Sequence, residues 1–156
     1  MEIADLLMGP EAVLAGLKVS AKKPVLDECA GLAARLWGHD RRRVFELLLE
    51  RERLGSTGVG GGIAIPHARL AGMSRPAALF ARLAQPAEFD AIDQRPVDLV
   101  FMLLSPDGAG ADHLKALARL SRTMRDRTLV EKLRATDAAD ALFALLVEPA
   151  ATLHAA

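Results

Sequence analysis

One cysteine, Cys29, occurs in 156 residues, so no disulfide can close within the chain and a reducing compartment is the default. The N-terminal stretch Met1-Glu2-Ile3-Ala4-Asp5 carries acids where a secretion signal carries basic residues. No apolar run approaches the roughly 18 residues of a membrane-crossing helix. A cytoplasmic protein without membrane insertion is therefore expected. An excess of either charge is also lacking, since 20 basic and 20 acidic side chains cancel. Duplex recognition needs a basic footprint, so nucleic acid is not expected as a partner.

Signatures of bound cofactors are missing as well. Gly55 and Gly60 have the spacing that opens a P-loop, but Gly61 stands where its phosphate-binding lysine is required. Gly58 and Gly60 would need a third glycine at position 63 to bind a dinucleotide, and Ile63 is there. No Cys or His pair has zinc-finger spacing. Asp90 and Asp93 read as turn residues between two strands rather than metal ligands. Ser56 lacks the strand, elbow and helix of a hydrolase nucleophile, and no catalytic pattern surrounds Cys29. No metal or cofactor is expected.

What the chain does have is an apolar fraction of 51% against 26% charged residues, the balance of a folded globule. A chain of this length buries about 68–70% of its unfolded surface, enough for a core without disulfide or metal. One domain over 1–150 with a flexible tail at 151–156 is expected. The patterning predicts a short helix over 10–17, with Pro10 in its first turn, and a small strand at 19–20. Apolar residues at three- and four-residue steps predict a helix over 23–37, closed by Gly38. Asp40 is the expected N-cap of a helix running to Arg53, with Val44, Phe45, Leu47, Leu48 and Leu49 inward and residues 41–43, Glu46, Glu50 and Glu52 toward water. Strands are expected at 63–65, 77–83 and 97–104. The last has no polar alternation, so both its faces should be covered. A loop at 105–110 and helices over 112–124, 127–135 and 137–147 complete an α/β sandwich.

The densest local signal is Gly55-Ser56-Thr57-Gly58-Val59-Gly60-Gly61-Gly62-Ile63-Ala64-Ile65-Pro66-His67. Glycine at that density turns the backbone sharply or opens its amides to another group. Pro66 ends the short β-branched run because it has no N–H for a sheet ladder. His67 is then presented at a strand end beside a loop rich in backbone donors. His39 and His154 read as solvated surface residues. His113, in the first turn of its helix, shares a face with Leu117 and Leu120 and should lean toward the packed side. Its helix follows the strand 97–104, so it starts near a sheet edge, where a partly buried structural histidine is the simpler reading. Two histidines and an arginine suit a phosphoryl group: neutral imidazole is nucleophilic, with an unperturbed pKa of about 6.5. Exposed amides and helix N-termini supply anion donors. Arg51, four residues before Gly55, is a candidate clamp, although its charged run otherwise resembles a solvated helix end.

The run from Arg51-Glu52 through Leu54-Gly55-Ser56-Thr57-Gly58-Val59-Gly60 to Gly62-Ile63-Ala64-Ile65-Pro66-His67 resembles the signature of mannitol/fructose-type IIA domains of the bacterial phosphotransferase system. Within that family it is most similar to the nitrogen-regulatory branch, IIA-Ntr. Phe89-Asp90-Ala91-Ile92-Asp93, Pro96-Val97-Asp98-Leu99, Leu103-Leu104, Pro106 and His113-Leu114 extend the likeness over about residues 3–148. Gly61 and Ala68 depart from the commonest form, in which asparagine and glycine stand. The resemblance implies an α/β fold with a central mixed β-sheet flanked by helices on both faces. It implies His67 as phosphoacceptor through Nε2, the other ring nitrogen being held by a backbone carbonyl. It further implies His113 as stabiliser of the phosphoryl oxygens and Arg51 as a nearby phosphate or partner contact.

The activity implied is that of a regulatory phosphocarrier, taking a phosphoryl group from an HPr-like carrier of the NPr type and acting on regulatory targets such as kinases or potassium-transport proteins. The alternative is a fructose- or mannitol-specific IIA component that hands phosphate to a IIB domain. The absence of a IIB cysteine motif and of a membrane segment favours regulation. A binding module with purely structural histidines, and a metallohydrolase on His67 and His113 lacking a third ligand, are the remaining readings.

Overall fold

The frame is built around one strand that water does not reach. The computed structural model describes residues 1–148, and the expected tail at 151–156, with His154, lies outside them. From Leu99 to Ser105 the strand β6 (Val97–Pro106) keeps no exposure at any side chain. Successive residues point to opposite faces, so both faces of the sheet are covered there. β5 (Ala77–Ala87) pairs with it antiparallel, and Phe80 meets Phe101 edge-to-face at 5.4 Å between ring centroids.

On the far side of β5, β1 (Val13–Leu17) runs parallel to it. On the other side of β6, β3 (Ile63–Ala64) and β4 (His67–Leu70) both run parallel to it in one continuous register: Ile63 opposite Leu99, His67 opposite Leu103. β2 (Gly58–Gly60) closes that edge antiparallel to β3. The six-stranded mixed sheet has the order β1-β5-β6-β3-β2, with β4 continuing the line of β3 along β6. Because β4 and β6 are parallel, their C-terminal ends come out together, and that end is where open α/β sheets carry their ligands.

Among the described residues six α-helices surround the sheet: α1 (Ile3–Leu6), α2 (Lys22–Trp37), α3 (Arg41–Arg53), α4 (Gly110–Thr123), α5 (Arg127–Arg134) and α6 (Ala139–Val147). α2 packs on β5, α3 on β4, α4 on β6 and α6 on β1. Gly38 takes a left-handed conformation, φ 75°, to end α2, and the Asp40 carboxylate accepts from the Arg43 amide to start α3. Cys29 faces the core from α2, and burial, with Glu28 second, pushes its thiol pKa up to about 12.

Three local expectations fail. Residues 13–17 form an edge strand rather than a helix; only Pro10–Ala12 makes a single 3-10 turn, and tertiary pairing with β5 outweighs local propensity. Residues 19–20 are not a strand; next to them Ala21 makes one isolated bridge to Glu88. Glu52 does not face water. It is buried, and its carboxylate accepts from the Thr57 amide at 2.6 and 3.1 Å and from the Thr57 hydroxyl at 2.7 Å. This clasp ties the end of α3 to the start of β2. Removing it strands two buried donors, so Glu52→Ala is expected to lower the unfolding free energy by about 1–3 kcal/mol, with Glu52→Gln losing less. Urea unfolding checks this, and an unchanged midpoint for Glu52→Ala contradicts it.

Candidate functional site

The clasp at Thr57 sets the first element of the site. Thr57 lies opposite Ile65 on the continuation of the β2–β3 pair, and the Ile65 amide donates to the Thr57 carbonyl at 2.9 Å. An antiparallel pair of this kind ordinarily returns the bond. Here the Thr57 amide is committed to Glu52 instead, which leaves the Ile65 carbonyl without a strand partner. His67 takes it: its Nδ1 lies 2.8 Å from the Ile65 carbonyl oxygen. A carbonyl only accepts, so Nδ1 carries the proton and neutral His67 holds its lone pair on Nε2.

Arg51, in the last turn of α3, donates from Nε to that Nε2 at 3.2 Å and from Nη1 to the Gly55 carbonyl at 2.8 Å. His113, in the first turn of α4, is 5% exposed, and its ring centroid is 5.6 Å from that of His67, the planes inclined by 53°. Its Nδ1 is 2.7 Å from the Ser105 hydroxyl at the end of β6. All three residues singled out in the sequence thus converge. They open into a groove of about 590 Å³ whose wall also includes Leu47 and Arg69. Leu54, 85% exposed, and Leu114, 64% exposed, form its apolar rim.

The triple-glycine turn does not lie at His67. Gly60, Gly61 and Gly62 all have positive φ, but they form the turn between β2 and β3 at the far end of the strand line. Four residues separate Ile63 from His67, about 13 Å of extended chain. Two amides of the glycine-rich stretch are already taken: Gly61 donates to Asp93 at 2.9 Å and Gly58 to the Ser56 hydroxyl at 3.0 Å. Asp93 also accepts from the Arg95 amide, and Asp90 pairs with Lys22 at 3.1 Å, so both act in turn and surface contacts. Side-chain donors around His67 include Arg51 and Arg69, with His113 beside them.

Arg69, Ser105 and Glu52 are the site residues that the sequence reading missed. Arg69 follows His67 by two on β4 and shares its face, a signal available only once 67–70 is recognised as a strand. Ser105 is the first hydroxyl after six apolar residues of β6, and such a break in a buried run asks for a partner.

Both imidazoles are held neutral. Burial is the main reason that the His67 pKa falls below its ordinary 6.5; the bond to Ile65 opposes this, and the charges of Arg51 and Arg69 add to it. His113 is pushed down to about 4, first by burial, then by His67 and Arg69. As pH falls from about 6.5 to about 4, the unfolded chain takes up protons at these rings that the native chain refuses. Their contribution to stability is therefore complete above about pH 6.5 and is lost progressively below it. Urea unfolding across this window is expected to fall in stability with acid, and less steeply in His113→Gln. Equal slopes for the two proteins contradict the assignment, as does an NMR titration with His113 near 6.5.

Residues 7–148 match the family described as phosphoenolpyruvate-dependent sugar phosphotransferase system, EIIA 2. The chain is 53% identical over 152 residues to a nitrogen regulatory protein of Bradyrhizobium diazoefficiens, covering 97% of this chain and 99% of that one. The crystal structure of nitrogen regulatory protein IIA-Ntr from Neisseria meningitidis superposes with a TM-score of 0.85 at 36% identity, over 92% of this chain and 98% of that one. IIA mannitol from Escherichia coli, 21% identical, shares the fold with a TM-score of 0.74 over 88% and 97% of the two chains. With the mixed sheet, the His67 segment and the full-length relatives in agreement, the chain belongs to the EIIA 2 family of the phosphotransferase system, in its nitrogen-regulatory branch.

Proposed function

We propose that this protein is a regulatory phosphocarrier of the nitrogen-related phosphotransferase system. His67 accepts a phosphoryl group on Nε2 from a phosphohistidine of an HPr-like carrier, and the protein signals by its phosphorylation state. The observation that carries this reading is the Nδ1–H bond to the Ile65 carbonyl, which leaves the Nε2 lone pair on the groove side among Arg51, Arg69 and His113.

In the transfer, the N–P bond on the carrier breaks as a new one forms on Nε2, and Nδ1 keeps its proton, hydrogen-bonded to the Ile65 carbonyl. Phosphoryl transfer runs through a loose transition state, so the protein's work is alignment and charge stabilisation. Arg51 at present caps Nε2. It exchanges that bond for one to the phosphoryl oxygens while Nη1 keeps its hold on Gly55. An arginine-to-phosphate bond is charge-assisted and roughly twice as strong as a neutral one, which favours the exchange. Arg69 supplies a second cation.

Leu54 and Leu114 give the carrier a small apolar surface, as suits a transient encounter. The same rim supports a switch. Phosphorylation brings about two negative charges into the groove. A regulatory target that covers the rim of the unmodified form must desolvate those charges to bind the phosphorylated one, which is unfavourable unless it brings cations of its own. Kinases and potassium-transport proteins are the targets we infer.

Incubation with a phosphorylated HPr-type carrier is expected to label the protein at one acid-labile site. His67→Ala is expected to abolish labelling, and Arg51→Ala and His113→Ala to slow it about 10-fold or more each, the scale of one charge-assisted bond. Label retained at an acid-labile site in His67→Ala overturns the reading. Transfer onward to a IIB protein and sugar moves the protein to the sugar-transport alternative.

A further inference from the structure

We propose that Ser105 is a positioning residue for His113: its hydroxyl donates to Nδ1 and so fixes the neutral ring in the tautomer that turns an Nε2–H toward the groove. The role of that N–H toward a phosphoryl group rests on the function proposed above; the hydrogen bond itself does not.

The argument starts from burial. Ser105 has no exposure, and the six residues before it on β6 are apolar and fully buried. A hydroxyl in such a place is unfavourable unless it is hydrogen-bonded. Among the described residues its oxygen has one hydrogen-bond partner, His113 Nδ1 at 2.7 Å. Two arrangements share that distance. If the ring donates, the serine proton points into the packed interior with nothing to receive it, and an unmet buried donor is the expensive outcome. If the hydroxyl donates, the ring accepts at Nδ1 and both groups are satisfied. The second arrangement places the imidazole proton on Nε2.

His113 lines the groove, and its Nδ1 is occupied by the buried strand end, so Nε2 is the nitrogen left for the groove. The two histidines then hold opposite tautomers. His67, whose Nδ1–H donates to the Ile65 carbonyl, offers a lone pair; His113, whose Nδ1 accepts from the Ser105 hydroxyl, offers a donor. Their centroids, 5.6 Å apart, leave the donor beside the nucleophile rather than on it. Because burial also keeps His113 neutral near pH 7, the tautomer decides what this ring presents. Without Ser105 the neutral ring is free to place its proton on either nitrogen, and the wrong choice aims a lone pair at the phosphoryl oxygens.

The test uses the purified full chain labelled with nitrogen-15, with proton-nitrogen NMR of the histidine rings at pH 7. The wild type is expected to have His113 unprotonated at Nδ1 and protonated at Nε2. Ser105→Ala is expected to move the two His113 nitrogens toward averaged values while the His67 pattern stays unchanged, which also reports that the fold is intact. Ser105→Thr, which keeps the hydroxyl, is expected to restore the wild-type pattern. In phosphotransfer from a phosphorylated carrier, Ser105→Ala is expected to be about 2- to 10-fold slower, the scale of one neutral hydrogen bond. It should add nothing to His113→Ala, because it acts only through that ring. A wild-type His113 protonated on Nδ1, or a Ser105→Ala spectrum with the His113 nitrogens unmoved, overturns the proposal. The expected spectra in a protein that no carrier labels support the positioning bond and reject the phosphocarrier reading instead.

Discussion

Glu52 and Thr57 hold the bond on which the site depends. In an uninterrupted antiparallel pair the Thr57 amide would return to the Ile65 carbonyl, and that oxygen would be consumed by the sheet. The buried carboxylate takes the amide at 2.6 Å, and the strand edge is left with one unclaimed acceptor. Two residues on, past a proline that has no donor to offer, stands an imidazole whose Nδ1 reaches that acceptor. The tautomer of His67 is therefore written by a carboxylate that never touches the ring. A buried carboxylate without partners would be strongly unfavourable, and three donor contacts from one threonine make its place tenable.

Electrostatics completes what the tautomer begins. A histidine that is to act as a nucleophile has to be neutral, and a site that is to hold phosphate has to be cationic. These demands agree here, because the cations that would grip a phosphoryl group also depress the proton affinity of both rings. Under the proposed transfer Arg51 would have two successive uses. In the unmodified protein it caps Nε2, which satisfies a half-buried lone pair; with a phosphoryl group present, the same fork has stronger acceptors within its reach. A partner seated on the apolar rim, as proposed, would lower the local dielectric and strengthen each of these interactions.

Long elements were legible in the sequence, and short ones were not. α2, α3 and β6 carry ten to sixteen residues of consistent period, with Gly38 and Asp40 as punctuation, and their limits fall within a residue or two of expectation at nearly every end. β2 and β4 have three and four residues and owe their existence to neighbours in the sheet, so local composition does not announce them. The convergence of Arg51, His67 and His113 was proposed from residue types and a familial resemblance. Its geometry was out of reach because it depends on parallel pairing across 36 positions of chain, Ile63 to Leu99 and His67 to Leu103. Ser105 and Glu52 escaped notice for a related reason. One sits at the end of an apolar run and the other in a charged one, and burial reverses the meaning of both.

The glycines illustrate the same point from the opposite direction: of the two uses that their density suggests, a sharp turn and open amides, the structure shows the turn. Gly62 has φ 79°, and a Cβ there would run into the Arg134 guanidinium and meet Asp98 at 2.9 Å. The Gly62 carbonyl accepts from the Asp98 and Leu99 amides, and Arg134 bonds the Asp98 carboxylate at 2.8 and 2.9 Å and the Gly61 carbonyl at 2.6 Å. These bonds pin the start of the β3–β4 line against the start of β6. Register matters acutely in such a pair, because a slip of one residue sends every side chain to the opposite face. A slip here would turn His67 away from His113 and present Ala68 in its place. The glycine turn thus acts at a distance of several residues: it keeps His67 opposite Leu103, on the same face as Ser105 and within reach of the ring that Ser105 orients.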